Sequence, residues 1–401
     1  MIKKRKPVVI GYACIGPGAH SPEKLWENIL KRKRFFRIMP QGRLPENLYY
    51  NMDPSNSGTS YNRLMATITD WTFDPLKYKI PPLVAKQYDI SHWLALDTAS
   101  KLLESTPLNN KIPLDRIGVI IGNSLTGEFS RSFQFKLRWP TIKDRLKDSL
   151  NIILTTSTEK EKLRIVDTFK DQLLRNIAEV NEDTLPGGMS NIIAGRIANY
   201  FNFKGGAFTV DGACSSSLLS VITACNAIES GQIDFAITGG VDVSLDPFEF
   251  VGFAKTSAFS KNLIKPFDKN ADGMLVGEGC ALLLIGDYET ALRSGYKPKA
   301  IIKGYAFSSD GAGEGITAPQ IEGQSIGIRK TYEKAGYSID TVDYFEGHGT
   351  GTAKGDHVEI SALIKEIRKS TRKKPAYIGS IKANIGHTKA ASGAFGLLKA
   401  V

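Results

Sequence analysis

The chain has 401 residues, 42% of them hydrophobic, with a formal net charge of +11. That length buries a large core in two domains or one duplicated domain, and the charge admits nucleic acid or an acidic protein as partner. No apolar run is long enough to span a bilayer, and Cys14, Cys214, Cys225 and Cys280 show neither disulfide nor C-x-x-C spacing, which fits a reducing, cytoplasmic setting.

The apolar segment 7–12 follows a basic start but is short and precedes no small-x-small cleavage site, so it reads as a strand rather than a signal peptide. The basic clusters at 3–6 and 365–374 stand beside no finger, RRM or KH signature, and a solvated basic surface is expected rather than nucleic-acid binding. Ser21-Pro22 opens a helix as cap and first residue, with Leu25, Trp26, Ile29 and Leu30 as its apolar face. Residues 40–82, rich in Pro, Asn and Gly, read as irregular surface. A helix with Trp93, Leu94, Leu96, Leu102 and Leu103 starts at 91, and His92 on it reads as structural. Residues 117–122 are a buried strand by composition. Residues 131–180 are charged and helical in pattern, Leu185-Pro186-Gly187-Gly188 breaks them, and 192–201 form a further helix.

The stretch 206–220 carries the first chemistry. An apolar strand ends at Val210 and an apolar helix opens at Leu218, with Asp211-Gly212-Ala213-Cys214-Ser215 between them. Gly212 is expected to take the sharp turn, and small neighbours at Ala213 and 215–217 to leave room for a second molecule. Cys214 then stands at a helix N-terminus, where the dipole and free N–H groups favour a thiolate, as in a nucleophile elbow with sulfur for oxygen. The competing reading is a small buried core cysteine. Strands follow at 235–241, 281–285 and 300–305, with a helix at 323–335, which together give an α/β fold around a buried sheet. Each half has a strand, a long helix and a Gly-rich turn bearing chemistry, which hints at duplication.

Two polar clusters lie in the second half. Glu346-Gly347-His348-Gly349-Thr350-Gly351-Thr352 follows the strand 342–345 and leads into Gly355-Asp356-His357-Val358-Glu359; Lys382-Ala383-Asn384-Ile385-Gly386-His387 follows the strand 376–378. The glycines do not form G-x-G-x-x-G, and no G-K-[ST] follows, so phosphate binding is not expected. Cys214, His348 and His387 lack the usual spacing of metal ligands.

On these motifs, with Lys265-Pro266-Phe267-Asp268 and Gly277-Glu278-Gly279, the sequence resembles the β-ketoacyl synthases of type I polyketide synthases from about residue 7 to the end. Finer features, His92-Trp93-Leu94-Ala95-Leu96-Asp97 and Leu125-Thr126-Gly127-Glu128-Phe129-Ser130-Arg131, resemble the iterative enediyne-polyene synthases. The usual Glu-Ala-His and Gly-Asp-Pro read Glu-Gly-His and Gly-Asp-His here. The resemblance implies a thiolase-like α/β fold of two related halves in a layered αβαβα arrangement: 1–260, with the nucleophile elbow and a helical insertion at about 130–185, and 261–401. It implies decarboxylative condensation, with Cys214 taking an acyl chain from a carrier-protein phosphopantetheine and His348 and His387 stabilising the oxyanion of the malonyl thioester. Lys382 is then the charge that organises the site, Glu359 its candidate carboxylate, and Asp356 with Glu359 structural and electrostatic. No cofactor and no metal are implied; acyl carrier protein, a second copy of the chain and other synthase domains are the implied partners. The alternative is a non-condensing partner chain of a synthase, and such chains usually lack the cysteine. Family members continue past the helical pattern at 392–399 to a Gly-Phe-Gly-Gly turn and closing strands, so the second half is expected to be incomplete.

Overall fold

The structure, a computed structural model, describes residues 5–401 except 244, 314, 369–371 and 373. The basic clusters at 3–6 and 365–374 therefore lie partly outside the described residues. The chain forms two compact units, one comprising residues up to Phe73, Ser91–Leu125 and Ser190–Val401, the other Asp74–Ile90 and Thr126–Met189.

The larger unit is built on a six-stranded sheet of β1 (Pro7–Ile15), β2 (Ile117–Gly122), β3 (Ala207–Val210), β4 (Phe235–Asp242), β5 (Gly279–Asp287) and β6 (Ala300–Ile301), in the order β3-β2-β4-β5-β1-β6. β2 is parallel to both β3 and β4, whereas β5 runs antiparallel to β4 and β1. β2, β4 and β5 are buried along their whole length, in keeping with their largely apolar composition. β7 (Tyr344–Glu346) and β8 (Tyr377–Gly379) form a separate parallel pair.

Around these strands lie α1 (Pro22–Leu30), α2 (Ile90–Ser105), α3 (Asn191–Phe201), α4 (Ser216–Glu229), α5 (Pro247–Lys255), α6 (Ile321–Ala335), α7 (Ala353–Ile367) and α8 (Ser392–Ala400). Ser21 caps α1 as expected, its hydroxyl accepting from the Lys24 N–H. Of the expected apolar face only Leu25 is fully covered, and Trp26 and Leu30 are exposed. α4 packs on β2 and β4. A Cβ on Gly122 would stand 2.5 Å from the Ser216–Ser217 backbone, so only glycine lets the helix start so close to the strand.

In the smaller unit, the helices Glu128–Leu137, Trp139–Ile153 and Glu159–Leu174 pack on one another, burying Phe133, Leu150 and Val166. A Thr158–Glu161 capping box starts the last of them.

The segment 40–82 is irregular and mostly at the surface, as its composition predicts, but part of it enters the core. Leu44, Met65 and Ala66 are fully buried, Leu44 and Met65 in a cluster with Leu245, Phe250, Phe259 and Ile264. Arg43 enters with them, its guanidinium 2.8 Å from the buried Glu278 carboxylate. These residues follow neither a helical nor a strand period, because long-range packing rather than local pairing covers them. The expected strand at 300–305 is shorter, Ala300–Ile301 alone.

Candidate active site

Cys214 lies just past the carboxyl end of β3. β3 and β4 flank β2 on opposite sides, and the crevice outside the strand ends at such a switch point is where open α/β sheets bind ligands. The turn is a short 3-10 stretch, Ala213–Ser215, leading into α4. It is sharp as expected, but the left-handed residue is Ala213 (φ 51°), not Gly212 (φ −149°). Gly212 is needed for space instead, since its Cβ would meet Leu219 Cδ1 at 2.2 Å. The turn is tied by Ala213 N–H donating to Asp211 Oδ1 (2.9 Å) and Gly212 N–H to Ser216 Oγ (2.9 Å). Ala213 and Ser215 are exposed and do leave room beside the thiol. Ser216 and Ser217 are fully buried, so their small size serves the packing of α4.

Cys214 is partly exposed, whereas Cys14, Cys225 and Cys280 are buried. Its thiol is not pulled towards neutrality as the helix-terminus argument predicts. Burial pushes its pKa up; the Lys382 ammonium opposes this and Asp242 adds to it. Desolvation of the thiolate is the largest influence, and Cys214 rests as a thiol.

The two histidines arrive from the second half. Their rings are 5.2 Å apart between centroids and nearly perpendicular. His348 sits on the loop after β7, open to solvent as its small neighbours predict. The Glu359 carboxylate on α7 holds that loop by accepting the N–H groups of His348 (2.6 Å) and Gly349 (2.8 Å). Asp356 ties it to the 265–268 turn, accepting from Gly351 (3.0 Å) and Phe267 (2.6 Å). Burial raises the pKa of both carboxyls. Glu359 therefore acts on Lys382 through space, its oxygens being taken by the loop backbone. His357, the departure from Gly-Asp-Pro, is exposed on α7.

His387 is buried, and its backbone is pinned between Leu275 O (2.7 Å) and Gly277 N (2.9 Å). Its Nδ1 accepts the Lys389 N–H at 2.9 Å. A neutral ring with Nδ1 accepting carries its proton on Nε2. His348 Nδ1 lies 3.4 Å from Lys382 Nζ, so an ammonium there imposes the same tautomer. Burial, then Lys382, push both imidazole pKa values down. His348 is exposed as a residue, yet its imidazole is desolvated enough to be neutral at pH 7. Lys382 is itself buried, which lowers its pKa to about 8, with Glu359, Cys214, Glu346 and Asp356 holding it up.

The nucleophile turn and the histidine turn are in direct contact. Ala213–Ser215 packs on Lys389–Ala391, and the Ser392 hydroxyl donates to the Cys214 carbonyl at 3.2 Å. The structure thus gathers Cys214, His348, His387, Lys382, Asp356 and Glu359 in one site. Sequence reading missed Glu346, which accepts the Ile381 N–H (2.6 Å) and pairs with Lys399 (2.7 Å), and Lys389, a lone charge in a run of small residues. That lone charge was the available signal.

A Cβ on Gly347, the departure from Glu-Ala-His, would lie 2.5 Å from Phe267 Cζ, and one on Gly349 would lie 2.9 Å from Cε2 of the same ring, so the partly exposed ring must shift to admit either. Gly347→Ala should destabilise the fold by about 1–3 kcal/mol through overpacking, and Phe267→Leu should restore most of it. Thermal denaturation of both variants tests this; an unchanged melting temperature for Gly347→Ala rejects it.

The family model "Beta-ketoacyl synthase, N-terminal domain" matches residues 4–291, and "Beta-ketoacyl synthase, C-terminal domain" matches 299–401. The polyketide synthase GfsE of Streptomyces halstedii is 31% identical over 399 residues, covering 98% of this chain and 9% of that protein. A polyunsaturated fatty acid synthase chain of Thraustochytrium sp. is 29% identical over 400 residues, covering 98% of this chain and 14% of its own length. Among solved structures, the oxazolomycin ketosynthase domain OzmH KS7 of Streptomyces albus JA3453 superposes with a TM-score of 0.82 at 26% identity, over 99% of this chain and 62% of that one. The PfaC keto synthase-chain length factor does so with 0.85 at 26% identity, over 99% and 41%. The chain spans a small fraction of these curated relatives, and its layered α/β architecture is that of ketosynthase domains. On the match of both family models, with Cys214, His348 and His387 gathered at one site, the chain belongs to the β-ketoacyl synthase family.

Proposed function

We propose that the chain catalyses decarboxylative condensation of an acyl thioester with a malonyl thioester. The acyl group passes from a carrier-protein phosphopantetheine to Cys214 Sγ, releasing the carrier thiol. The malonyl thioester then binds with its carbonyl oxygen towards Nε2–H of His348 and His387. Loss of carbon dioxide leaves the electron pair at the α-carbon as an enolate, which the two donors stabilise. That carbon attacks the acyl-Cys214 carbonyl, the C–S bond breaks, and a β-ketoacyl thioester leaves on the carrier while the Cys214 thiolate takes a proton from water. No cofactor and no metal are required, because decarboxylation supplies the carbanion. The observation that carries this reading is the pair of imidazoles, each with Nδ1 within hydrogen-bond distance of a lysine nitrogen, beside the only cysteine of the four that is partly exposed. Incubation with acyl- and malonyl-carrier protein, followed by mass spectrometry of the carrier-bound chain, tests it; no β-ketoacyl product and no carbon dioxide release from any acyl donor reject it.

The partner in this reading is an acidic acyl carrier protein. Lys31, Arg32, Lys33 and Arg34 form an exposed basic ridge. Its backbone is stapled to the turn that carries Lys382 and His387, with Phe35 N–H donating to Asn384 O (2.9 Å) and Asn384 Nδ2 to Lys33 O (2.8 Å). The Michaelis constant for carrier protein should rise with salt, since exposed charges are screened beyond ~8–10 Å near physiological ionic strength. Charge reversal at Lys33 and Arg34 should raise it further and flatten the salt response; a salt-independent constant rejects the docking face. A homodimer and a cytoplasmic location belong to the same reading. β3 is an edge strand with Phe208 exposed, which suits pairing with a second copy, and free cysteines suit a reducing compartment. Among the described residues no helix is long and apolar enough to cross a membrane. The two related halves, 1–260 and 261–401, and iterative use in a synthase with other domains complete it.

A further inference from the structure

Lys389 stands two residues past His387, at the start of the 3-10 turn Lys389–Ala391. Its backbone is left-handed (φ 48°), which a lysine adopts only where its surroundings impose it. Those surroundings are two carboxylates from other elements. Lys389 Nζ lies 2.6 Å from Asp242 Oδ1 at the end of β4 and 2.6 Å from Glu249 Oε2 on α5, and all three residues are buried. The second Asp242 oxygen accepts the Ala390 N–H at 3.3 Å, so one carboxylate grips both the lysine's side chain and the backbone after it. Glu249 is braced in turn, because Asp246 caps the first turn of α5 by accepting the Glu249 N–H at 3.0 Å. The strained turn reaches His387 through the Lys389 N–H, which donates to His387 Nδ1.

We infer that Lys389 is a positioning residue, whose ammonium, clamped between Asp242 and Glu249, holds the left-handed turn that keeps His387 in its Nε2–H form and aimed at the malonyl oxyanion. This rests on the reading of His387 as an oxyanion donor. The physical content is that a buried ion triad sets the malonyl half-reaction through the backbone of the turn, while the charges of Asp242 and Lys389 bear on the Cys214 thiol with opposite signs. Without the clamp an L-residue at 389 relaxes out of the left-handed region and its N–H leaves Nδ1, so the neutral ring is free to exchange tautomers. Glycine keeps the left-handed conformation without a clamp.

Three variants of the full chain separate this role from simple stability: Lys389→Ala, Lys389→Gly, and the combination Asp242→Asn, Glu249→Gln and Lys389→Gly, which leaves no buried carboxylate without its cation. The readouts are the tautomer of His387 in the ¹⁵N-histidine-labelled protein, assigned by its loss in His387→Ala, acyl loading of Cys214, and carbon dioxide release from malonyl-carrier protein. Expected is a pure Nε2–H tautomer in the wild type and a mixture in Lys389→Ala. In Lys389→Ala carbon dioxide release falls by about 10²-fold, the cost of a misplaced group, while Cys214 still loads. Either glycine variant restores the tautomer and most of the release. A Lys389→Ala protein with the wild-type tautomer and wild-type release overturns the inference. So does a glycine variant no better than alanine, with loading and release lost in equal proportion. A wild type that shows the tautomer and its response to Lys389→Ala but releases no carbon dioxide overturns the condensation reading while supporting the positioning one.

Discussion

Cys214→Ala is expected to abolish acyl transfer from a carrier thioester to the protein while leaving the fold intact. The other three cysteines cannot substitute. Cys14 and Cys280 are fully buried in adjacent strands of the central sheet, and Cys225 is buried on α4. Burial pushes Cys225 and Cys280 up to about 12 and Cys14 higher still, so none offers a thiolate or a path to it. Cys214 alone combines partial exposure with a nearby ammonium, Lys382, whose field favours the thiolate at the moment a thioester arrives. Losing one sulfur beside exposed Ala213 and Ser215 should change stability by no more than about 1 kcal/mol. Intact-mass and peptide mapping after incubation with acyl-carrier protein decide the matter. Acyl label on Cys225 or Cys280, or undiminished labelling of Cys214→Ala, sinks the assignment.

His348→Ala and His387→Ala should each slow malonyl decarboxylation by ~10²–10³-fold, the usual cost of removing a preorganised oxyanion donor, while Cys214 still loads acyl chains. The pH dependence follows from the direction of the shifts. Both imidazoles have pKa values depressed by burial, so their protonation enters only below the ordinary histidine range and the rate should stay flat as pH falls from 7 towards 6. The alkaline limb belongs to Lys382, whose pKa burial lowers to about 8. As pH rises through that value the ammonium is lost, His348 Nδ1 loses its donor, and the rate declines. Lys382→Met should lower the plateau and remove the alkaline limb together. Carbon dioxide release measured between pH 6 and 9 tests all three variants. Wild-type release from both histidine variants rejects the roles, and an alkaline limb that survives Lys382→Met reassigns that limb to another group.

The local chemistry of the site was legible because its determinants are local. A glycine-bearing turn after an apolar run fixes where a strand stops and what stands at its end; this holds for Cys214 and His348, whereas His387 follows the short helix Lys382–Ile385 rather than the strand Tyr377–Gly379 itself. The carboxylates of α7 were legible for the same reason. Asp356 and Glu359 lie within eleven residues of the His348 loop whose N–H groups they bind, so helix spacing alone brings them near. The buried strands β2, β4 and β5 are legible from their largely apolar composition.

What the tertiary structure decided is set by partners distant in the chain. Lys389 meets Glu249 across 140 positions and its neighbour Ala390 meets Asp242 across 148, so no local pattern marks the triad. Segment 40–82 looks like surface because it lacks a period, yet Arg43 and Leu44 are drawn inward by Glu278 and by Leu245 and Phe250, more than 200 positions away. Which residue of the elbow turns left-handed, Ala213 rather than Gly212, is not marked by residue type, since glycine is the usual occupant of that conformation. The protonation chemistry belongs here too. Residue type names a thiol and two imidazoles, but burial and the placement of one ammonium determine that the thiol rests protonated and the imidazoles neutral, since desolvation depends on everything packed around a group and not on its neighbours in the chain.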